Sequence, residues 1–529
     1  MHSSSRYFRQ PRWLLAPVLC LGSMLSLAAP HPNELILAIG GEADQGYDPL
    51  LGWGQYGHPL FQSTLLVRDA ELQPQGDLAI HWSLSDDRRV WTLELRDDAR
   101  FSDGTALTAK DVAFTFNQAA SAGGRADLTI LEHAEAPDER HVRLTLKEPR
   151  ITFADTFFTL GIVPAASRDN GYHAGYGRAP LGSGPYRMVE WQEGEQLIVE
   201  RNPHFYGPAP AFERLVFLFT GEDTTLAAAH AGRVDLAVVP PVLAGQPPAG
   251  MRQVVMQSVD NRGILFPMQS RGDGDIGNDV TADPSIRQAI NRALDRDTLV
   301  EVALNGFGRP AYGPADGLDW SNPEDTVADA GLVAAETLLD EAGWRMGEDG
   351  LRYREGMPAR FRLTYPSSDS TRQLLAESVA ELLRPLGLAV EPTGRHWDEI
   401  RREALQRDAI LFGWGSHSPL EVYYLYHSRH AGNDLYNAGD YANPRVDDYL
   451  DAAQAAESIE ASLPLWQQAQ WDGETGFGMR GDAAWAWLIN LEHVYLANEC
   501  LDLGKLGIAP HGHGWPITAS LLEWRWQCD

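Results

Sequence analysis

The sequence predicts an α/β protein built in more than one lobe, and three observations carry that prediction. A chain of 529 residues is too long for one ordinary core. Residues 91–117, WTLELRDDARFSDGTALTAKDVAFTFN, spell a strand, a tight turn and a capped helix. Beyond Gly263, segments of period 2 alternate with segments of helical spacing, the pattern of helices packed on a sheet.

Taken in order, residues 1–29 are a targeting segment. Arg6, Arg9 and Arg12 form a positive region, and residues 13–27 are largely apolar but too short to span a bilayer. Ser26-Leu27-Ala28 offers a small-x-small cleavage site, whereas Cys20 lacks the small preceding residue of a lipobox. Cleavage near Ala28 or Ala29 and a soluble, exported, periplasmic or extracytoplasmic protein are expected. No later stretch reads as a membrane-spanning helix.

A strand over 34–39 opens the mature chain. Within 91–117, Trp91, Leu93 and Leu95 alternate with Thr92, Glu94 and Arg96, so a half-buried strand is expected. Ser102-Asp103-Gly104 makes the turn, and Thr108 precedes Asp111 at capping-box spacing. Residues 212–219 read as a buried strand, 326–343 as a helix and 360–365 as a strand. A helix with Leu375, Val379, Leu382, Leu383 and Leu386 on one face ends at Gly387. The strand 388–390, a helix over 397–406 and the strand 410–414 follow. None of this contains a nucleophile elbow, a Walker loop, a Rossmann fingerprint or a metal-hydrolase motif, so no enzyme is predicted.

Composition narrows the class further. The apolar fraction of 44% is that of a globular chain. The formal charge of −30 becomes −33 without the three signal arginines, which excludes nucleic acid and anionic lipid as natural partners. Of three cysteines, Cys20 leaves with the signal. Cys500 and Cys528 remain, as one disulfide or two free thiols; an exported protein favours the disulfide.

Several motifs together resemble the family-5 extracellular solute-binding proteins, the dipeptide, oligopeptide and nickel receptors of ABC importers. They are the run from Leu95 to Phe116, the turn Gly182-Ser183-Gly184-Pro185-Tyr186, Arg201-Asn202-Pro203-His204-Phe205-Tyr206, IRQAINRALDR from Ile286, and ETLLDEAGW from Glu336. The resemblance implies a two-lobed periplasmic-binding-protein fold (class II, cluster C type) with an extra inserted domain. Its divisions would be 30–66, 179–262 and 494–529 for the first lobe, 67–178 for the insertion and 263–493 for the second lobe. It also implies a monomer that presents its solute to a permease and a separate ATPase, closing its lobes on the ligand.

For the ligand, the resemblance points to the cleft. The stretch 51–60 is placed there, with Trp53 and Tyr56 as candidate contacts, as is Gly413-Trp414-Gly415-Ser416-His417. Dipeptide receptors carry an aspartate directly after this W-x-G turn; here Ser416 and His417 stand instead, which argues against a peptide ammonium at that point. Nickel receptors bear histidines in comparable loops, and His58, His430 and the His511-Gly512-His513 pair match those regions. Imidazole nitrogen suits nickel, copper and zinc. The expectation is therefore nickel or a similar divalent transition metal, free or as a small chelate, as transported ligand, with no catalytic cofactor. His58, His430, His511 and His513 are the candidate metal ligands, with affinity falling as pH drops through about 6. Trp53, Tyr56, Arg125, Trp414, His417 and Trp515 are the other candidate contacts. Arg125 stands in for an arginine that such receptors carry near 159–164 and this chain lacks there. The competing reading is a di-/oligopeptide or opine receptor without direct metal ligation.

Overall fold

The computed structural model describes residues 33–43, 45–122, 128–168, 175–272, 276–327, 331–432 and 435–528. The targeting segment 1–29 and Arg125 lie outside the described residues.

Three sheets carry the architecture, which is mixed α/β. A seven-stranded sheet runs in the order Met251–Met256, His493–Asn498, Leu236–Val239, Glu34–Ala38, Arg214–Leu218, Gln196–Arg201, Tyr186–Gln192. Glu34–Ala38 is parallel to both its neighbours, and the outer pairs are antiparallel. A six-stranded sheet holds Gly308–Pro310, Trp485–Leu491, Asn261–Leu265, Ala409–Phe412, Arg360–Pro366 and Ala389–Arg395. The third, Ala79–Leu84, Val90–Leu95, His141–Leu146 and Leu131–Glu135, is antiparallel throughout.

Each sheet buries one main apolar cluster. Leu35, Leu37, Leu215, Phe217 and Leu236 fill the core beneath the first, with Trp515 and Trp524 of the tail. Ile264, Leu363, Leu411 and Leu488 meet Leu375, Val379 and Leu383 of the helix Ser370–Leu383 under the second. Leu93, Leu95, Val142 and Leu144 meet Val112 and Phe116 of the helix Ala109–Ala122 under the third. The alternation of 91–96 is thus a strand with one face in the core, buried at Trp91, Leu93 and Leu95.

That helix also positions the site. The Thr108 backbone N–H donates to the Asp111 carboxylate at 2.8 Å, half of a capping box. The other oxygen of Asp111 accepts from Ala165 N at 2.9 Å, and Thr115 exchanges hydrogen bonds with Val163. The helix thereby fixes the segment that follows Thr156–Thr159, one wall of the site.

Two crossings join the large sheets. The chain passes from Met251–Met256 to Asn261–Leu265 through Ser258 and Asp260, and returns from Trp485–Leu491 to His493–Asn498 through Glu492. Between them lies a buried charge cluster. Asp260 meets Arg262, His511 Nδ1 at 2.6 Å and His493 Nε2 at 3.0 Å. Burial pushes the Asp260 carboxyl up, but Arg262, His511 and His493 outweigh it and hold it well below the usual carboxylate range.

Some elements differ from expectation. The helix expected over 326–343 is described as Gly331–Glu341, with 328–330 outside the described residues. The helix expected over 397–406 is one short turn, Trp397–Glu399, followed by a π-turn, Ile400–Ala404. Cys500 and Cys528 are joined by a disulfide, Cα atoms 5.1 Å apart, which ties the tail to the strand pair Leu501–Asp502 and Arg525–Trp526.

Candidate functional site

The site grows from three stretches. The first, 52–60, is a series of turns in which Gly54 and Gly57 take φ of 77° and 102°. His58 itself sits at φ 52°, a left-handed conformation that a non-glycine residue adopts only at some cost. The second is 151–160. The third is 414–421, which leaves the six-stranded sheet after Ala409–Phe412. Gly413 is required there because a Cβ would meet Asn261 O at 2.2 Å. Trp414 O then accepts from Asn261 N at 2.9 Å, and Gly415 O from His511 N at 2.7 Å, so this stretch is tied to the crossing strands.

Two cavities lie between these stretches, with Tyr56 in the wall of both. The smaller, about 120 Å³, is lined by Gln55, Asp155, Trp414, Glu421, Tyr424 and Tyr436 among others. The larger, about 320 Å³, is lined by His58, Arg68, His417, Lys505, His513 and Glu523 among others. The larger suits a small ligand in size, near the lower end for solute pockets.

The electrostatics of the larger cavity are unusual. Burial, with Arg68 adding, lowers the His58 imidazole to about 4. Burial, then Arg68 and His58, lowers His417 to about 3, against the opposing hydrogen bond to Ile508. Both rings are therefore neutral at pH 7, with a lone pair available for a metal or a donor. His417 Nε2 is buried without a hydrogen-bond partner. Lys505 pairs with Glu71 at the rim.

The two cavities meet at an ion pair. Arg68 Nη2 lies 3.0 Å from Asp155 Oδ1 and donates to His417 O at 3.4 Å, and its guanidinium covers the Phe158 ring at 3.9 Å. Ser418 Oγ donates to the other Asp155 oxygen. Burial works against both charges, lowering Arg68 and raising Asp155. In the smaller cavity, burial with the neighbouring Asp260 charge raises the Glu421 carboxyl to about 7, although it accepts from Gly415 N and Ser416 N.

The residues singled out from sequence fall into separate groups. Tyr56, His58, His417 and His513 share the larger cavity, and Tyr56 and Trp414 line the smaller. The His511 and His513 ring centroids are 4.8 Å apart, and Tyr56 lies 6.5 Å from His513, nearly parallel to it. His511, however, is buried and held by Asp260. His430 packs against Tyr423 and Tyr424 and lines neither cavity. Trp53 and Trp515 are core residues: Trp53 donates to Pro59 O at 2.6 Å, and Trp515 stacks on Phe217 with centroids 4.3 Å apart. Among the described residues no group of three or more His, Cys, Asp or Glu is arranged to hold a metal ion. Sequence reasoning missed Arg68, Asp155 and Glu421. Only Glu421 left a signal, an acid in the first turn of the helix Leu420–Tyr426 just after the W-x-G turn.

Sheets joined by paired crossings, with cavities lined from opposite sides and no catalytic constellation in them, define a solute receptor. The chain belongs to the bacterial extracellular solute-binding proteins, family 5, whose family model matches residues 73–436. Protein XP55 of Streptomyces lividans is 32% identical over 500 residues, 92% of this chain and 88% of that protein. Among solved structures, NikZ from Campylobacter jejuni in complex with Ni(L-His) superposes with a TM-score of 0.83 at 23% identity, covering 94% of this chain and all of that one. The oligopeptide-binding protein AppA from Bacillus subtilis, in complex with a nonapeptide, gives 0.75 at 20% identity, covering 94% of this chain and 99% of that one. The family is one of receptors, and the chain is the solute-binding component of an ABC importer, working with permease and ATPase subunits. Among the described residues no helix is long and apolar enough to cross a membrane.

Proposed function

We propose that this receptor captures a divalent transition metal, nickel foremost, free or as a small chelate, and delivers it to the permease. The observation that carries the reading is one cavity lined by His58, His417 and His513, two of whose rings are kept neutral by burial. A neutral imidazole is the form that ligates a metal. The Ni(L-His) held by the NikZ neighbour supports it in kind. The mature protein acts as a monomer after signal cleavage near Ala28 or Ala29, with its lobes divided near Asn261 and His493. A ligand touching both walls favours the closed arrangement by its differential affinity.

A second reading, a peptide or opine receptor, is favoured by the lack of a formed three-ligand group among the described residues. The AppA neighbour holds a nonapeptide. Elemental analysis of tag-free protein, followed by nickel titration calorimetry, decides between them. His58→Ala with His513→Ala should cost more than the roughly 10–100-fold lost with an outer-shell partner; His511 stays in place because it holds Asp260. Metal-free protein that gives no heat with nickel or nickel–histidine, or an unchanged double variant, overturns the metal reading.

A further inference from the structure

The smaller cavity contains a buried acid whose charge nothing on the chain answers. Glu421 is 8% exposed, and its oxygens accept only from Gly415 N at 3.3 Å and Ser416 N at 3.1 Å. Among the described residues no Lys, Arg or His forms an ion pair with it, whereas Asp155 across the cavity spends its charge on Arg68. A carboxylate taken out of water needs a cation or strong donors.

The rest of the wall is aromatic. Trp414 and Tyr436 stack with centroids 5.1 Å apart at 21°, and Tyr424 lies 5.0 Å from Tyr436. Ring faces attract a cation, and most strongly where water is excluded. Trp414 is nine-tenths buried, and its indole N–H has no hydrogen-bond partner. That donor calls for an oxygen beside the cation. An anion alone is excluded, because Glu421, Asp155 and Asp260 all face this region with like charge.

We propose that the smaller cavity is a subsite for an α-amino carbonyl group of the transported solute. Glu421 answers the ammonium, the Trp414, Tyr424 and Tyr436 rings enclose it, and the Trp414 indole donates to the adjoining oxygen. The inference rests on the reading of the chain as a small-solute receptor, and not on the metal. It separates two tasks: the larger cavity receives donor atoms or anionic groups beside His58, Arg68 and His513, and the smaller fixes the amino end. A metal carried here would then come with a chelator that keeps one amino group protonated and free of the metal. A Glu421 that served only to hold the turn at Gly415 and Ser416 would not distinguish a cation from a neutral group of equal size.

L-Alaninamide and isobutyramide make that distinction, since a methyl replaces the ammonium at constant shape. Both are titrated into the full mature chain at about pH 6.5, below the ordinary range of an α-amino group, with tryptophan fluorescence and saturation-transfer NMR as readouts. L-Alaninamide should bind about tenfold or more tightly than isobutyramide. Glu421→Gln, of equal size, should erase that preference and leave the affinity for isobutyramide unchanged. Equal binding of the two probes by the native chain, or a preference retained in Glu421→Gln, overturns the proposal. Should Glu421→Gln fail to fold, Tyr436→Leu takes its place, and an undiminished preference there overturns it equally. A nickel titration run in parallel keeps the two readings apart. Silence toward nickel with the ammonium preference intact removes the metal alone, and the reverse result removes the subsite alone.

Discussion

Replacing Asp155 by Asn removes one charge from the pair that joins 151–160 to 414–421, and its consequence can be sized. The carboxylate holds Arg68 at 3.0 Å and accepts from Ser418, and both charged side chains are about five-sixths buried. Removing one member of a fully buried pair costs about 3–5 kcal/mol, because the other charge is left without an answer. Here part of that cost is recovered if the walls separate and water reaches Arg68, so about 2–3 kcal/mol falls on the closed arrangement. That is a shift of about 30–150-fold in the closed-to-open ratio. Apparent affinity scales with the closed fraction, so nickel or nickel–histidine should bind more weakly by up to that factor. Small-angle scattering of the free variant should show a larger radius of gyration. The control is Asp155→Asn with Arg68→Met, which removes both charges and should regain most of the affinity. An Asp155→Asn protein with unchanged scattering and unchanged affinity would refute the idea that this pair holds the walls together.

Three further outcomes follow from the same geometry. His58 and His417 are neutral in the fold, at about 4 and about 3, while an unfolded imidazole takes its proton near about 6.5. Unfolding therefore takes up protons below about 6.5: denaturant stability should be full at pH 7 and fall as pH drops toward about 4, and nickel affinity should persist to about pH 5. Loss of nickel binding already at about pH 6 would mean that the rings are solvated, as the sequence alone had led one to expect. Asp260→Asn leaves Arg262 buried without its partner and should lower stability by about 3–5 kcal/mol, seen as an earlier thermal transition; an unchanged melt would deny the cluster its structural weight. Cys500→Ser with Cys528→Ser removes a 28-residue closure, worth about 3 kcal/mol in the chain-entropy model, and should expose the tail to limited proteolysis. Equal resistance to protease in oxidised and variant protein would contradict that.

The elements that were legible in the sequence are those whose signal is local. The strand Val90–Leu95 and the helix Ala109–Ala122 announce themselves by alternation, a turn with Gly104 at φ 89° and a capping residue, all within 33 residues. The helix expected over 397–406 failed because its apolar spacing is too short to outweigh a strand on either side, and a π-turn was enough. The candidate site was legible only in part. Gly-flanked aromatics read the same whether they line a cleft or plug a core: Tyr56 and Trp414 line cavities, while Trp53 and Trp515 are packed inside. Arg68, Asp155 and Ser418 left no pattern, since they meet across separations of 87 and 263 residues. The H-G-H spacing suggested twin ligands, yet the fold gives His511 to Asp260 and leaves His513 in the cavity wall.

The placement of 414–421 explains how a ligand in either cavity can be felt at the crossings. Its first residues are fixed to the crossing strands, by Asn261 N to Trp414 O and by His511 N to Gly415 O. Its middle is held from the opposite wall by Asp155 on Ser418 and by Arg68 on His417 O. Glu421 folds back on Gly415 and Ser416, so the stretch is internally braced and transmits force as a unit. Three further contacts reach across in the same sense: Thr152 to Gln454, Arg88 to Ala455 O at 2.6 Å, and the Arg150 guanidinium to the Tyr423 ring at 5.7 Å. Each is individually modest, and none needs a ligand. A solute that touches His58 on one side and 414–421 on the other adds to contacts already made. It therefore has only to supply the balance that tips closure, which is how a receptor can select for fit and still release its cargo.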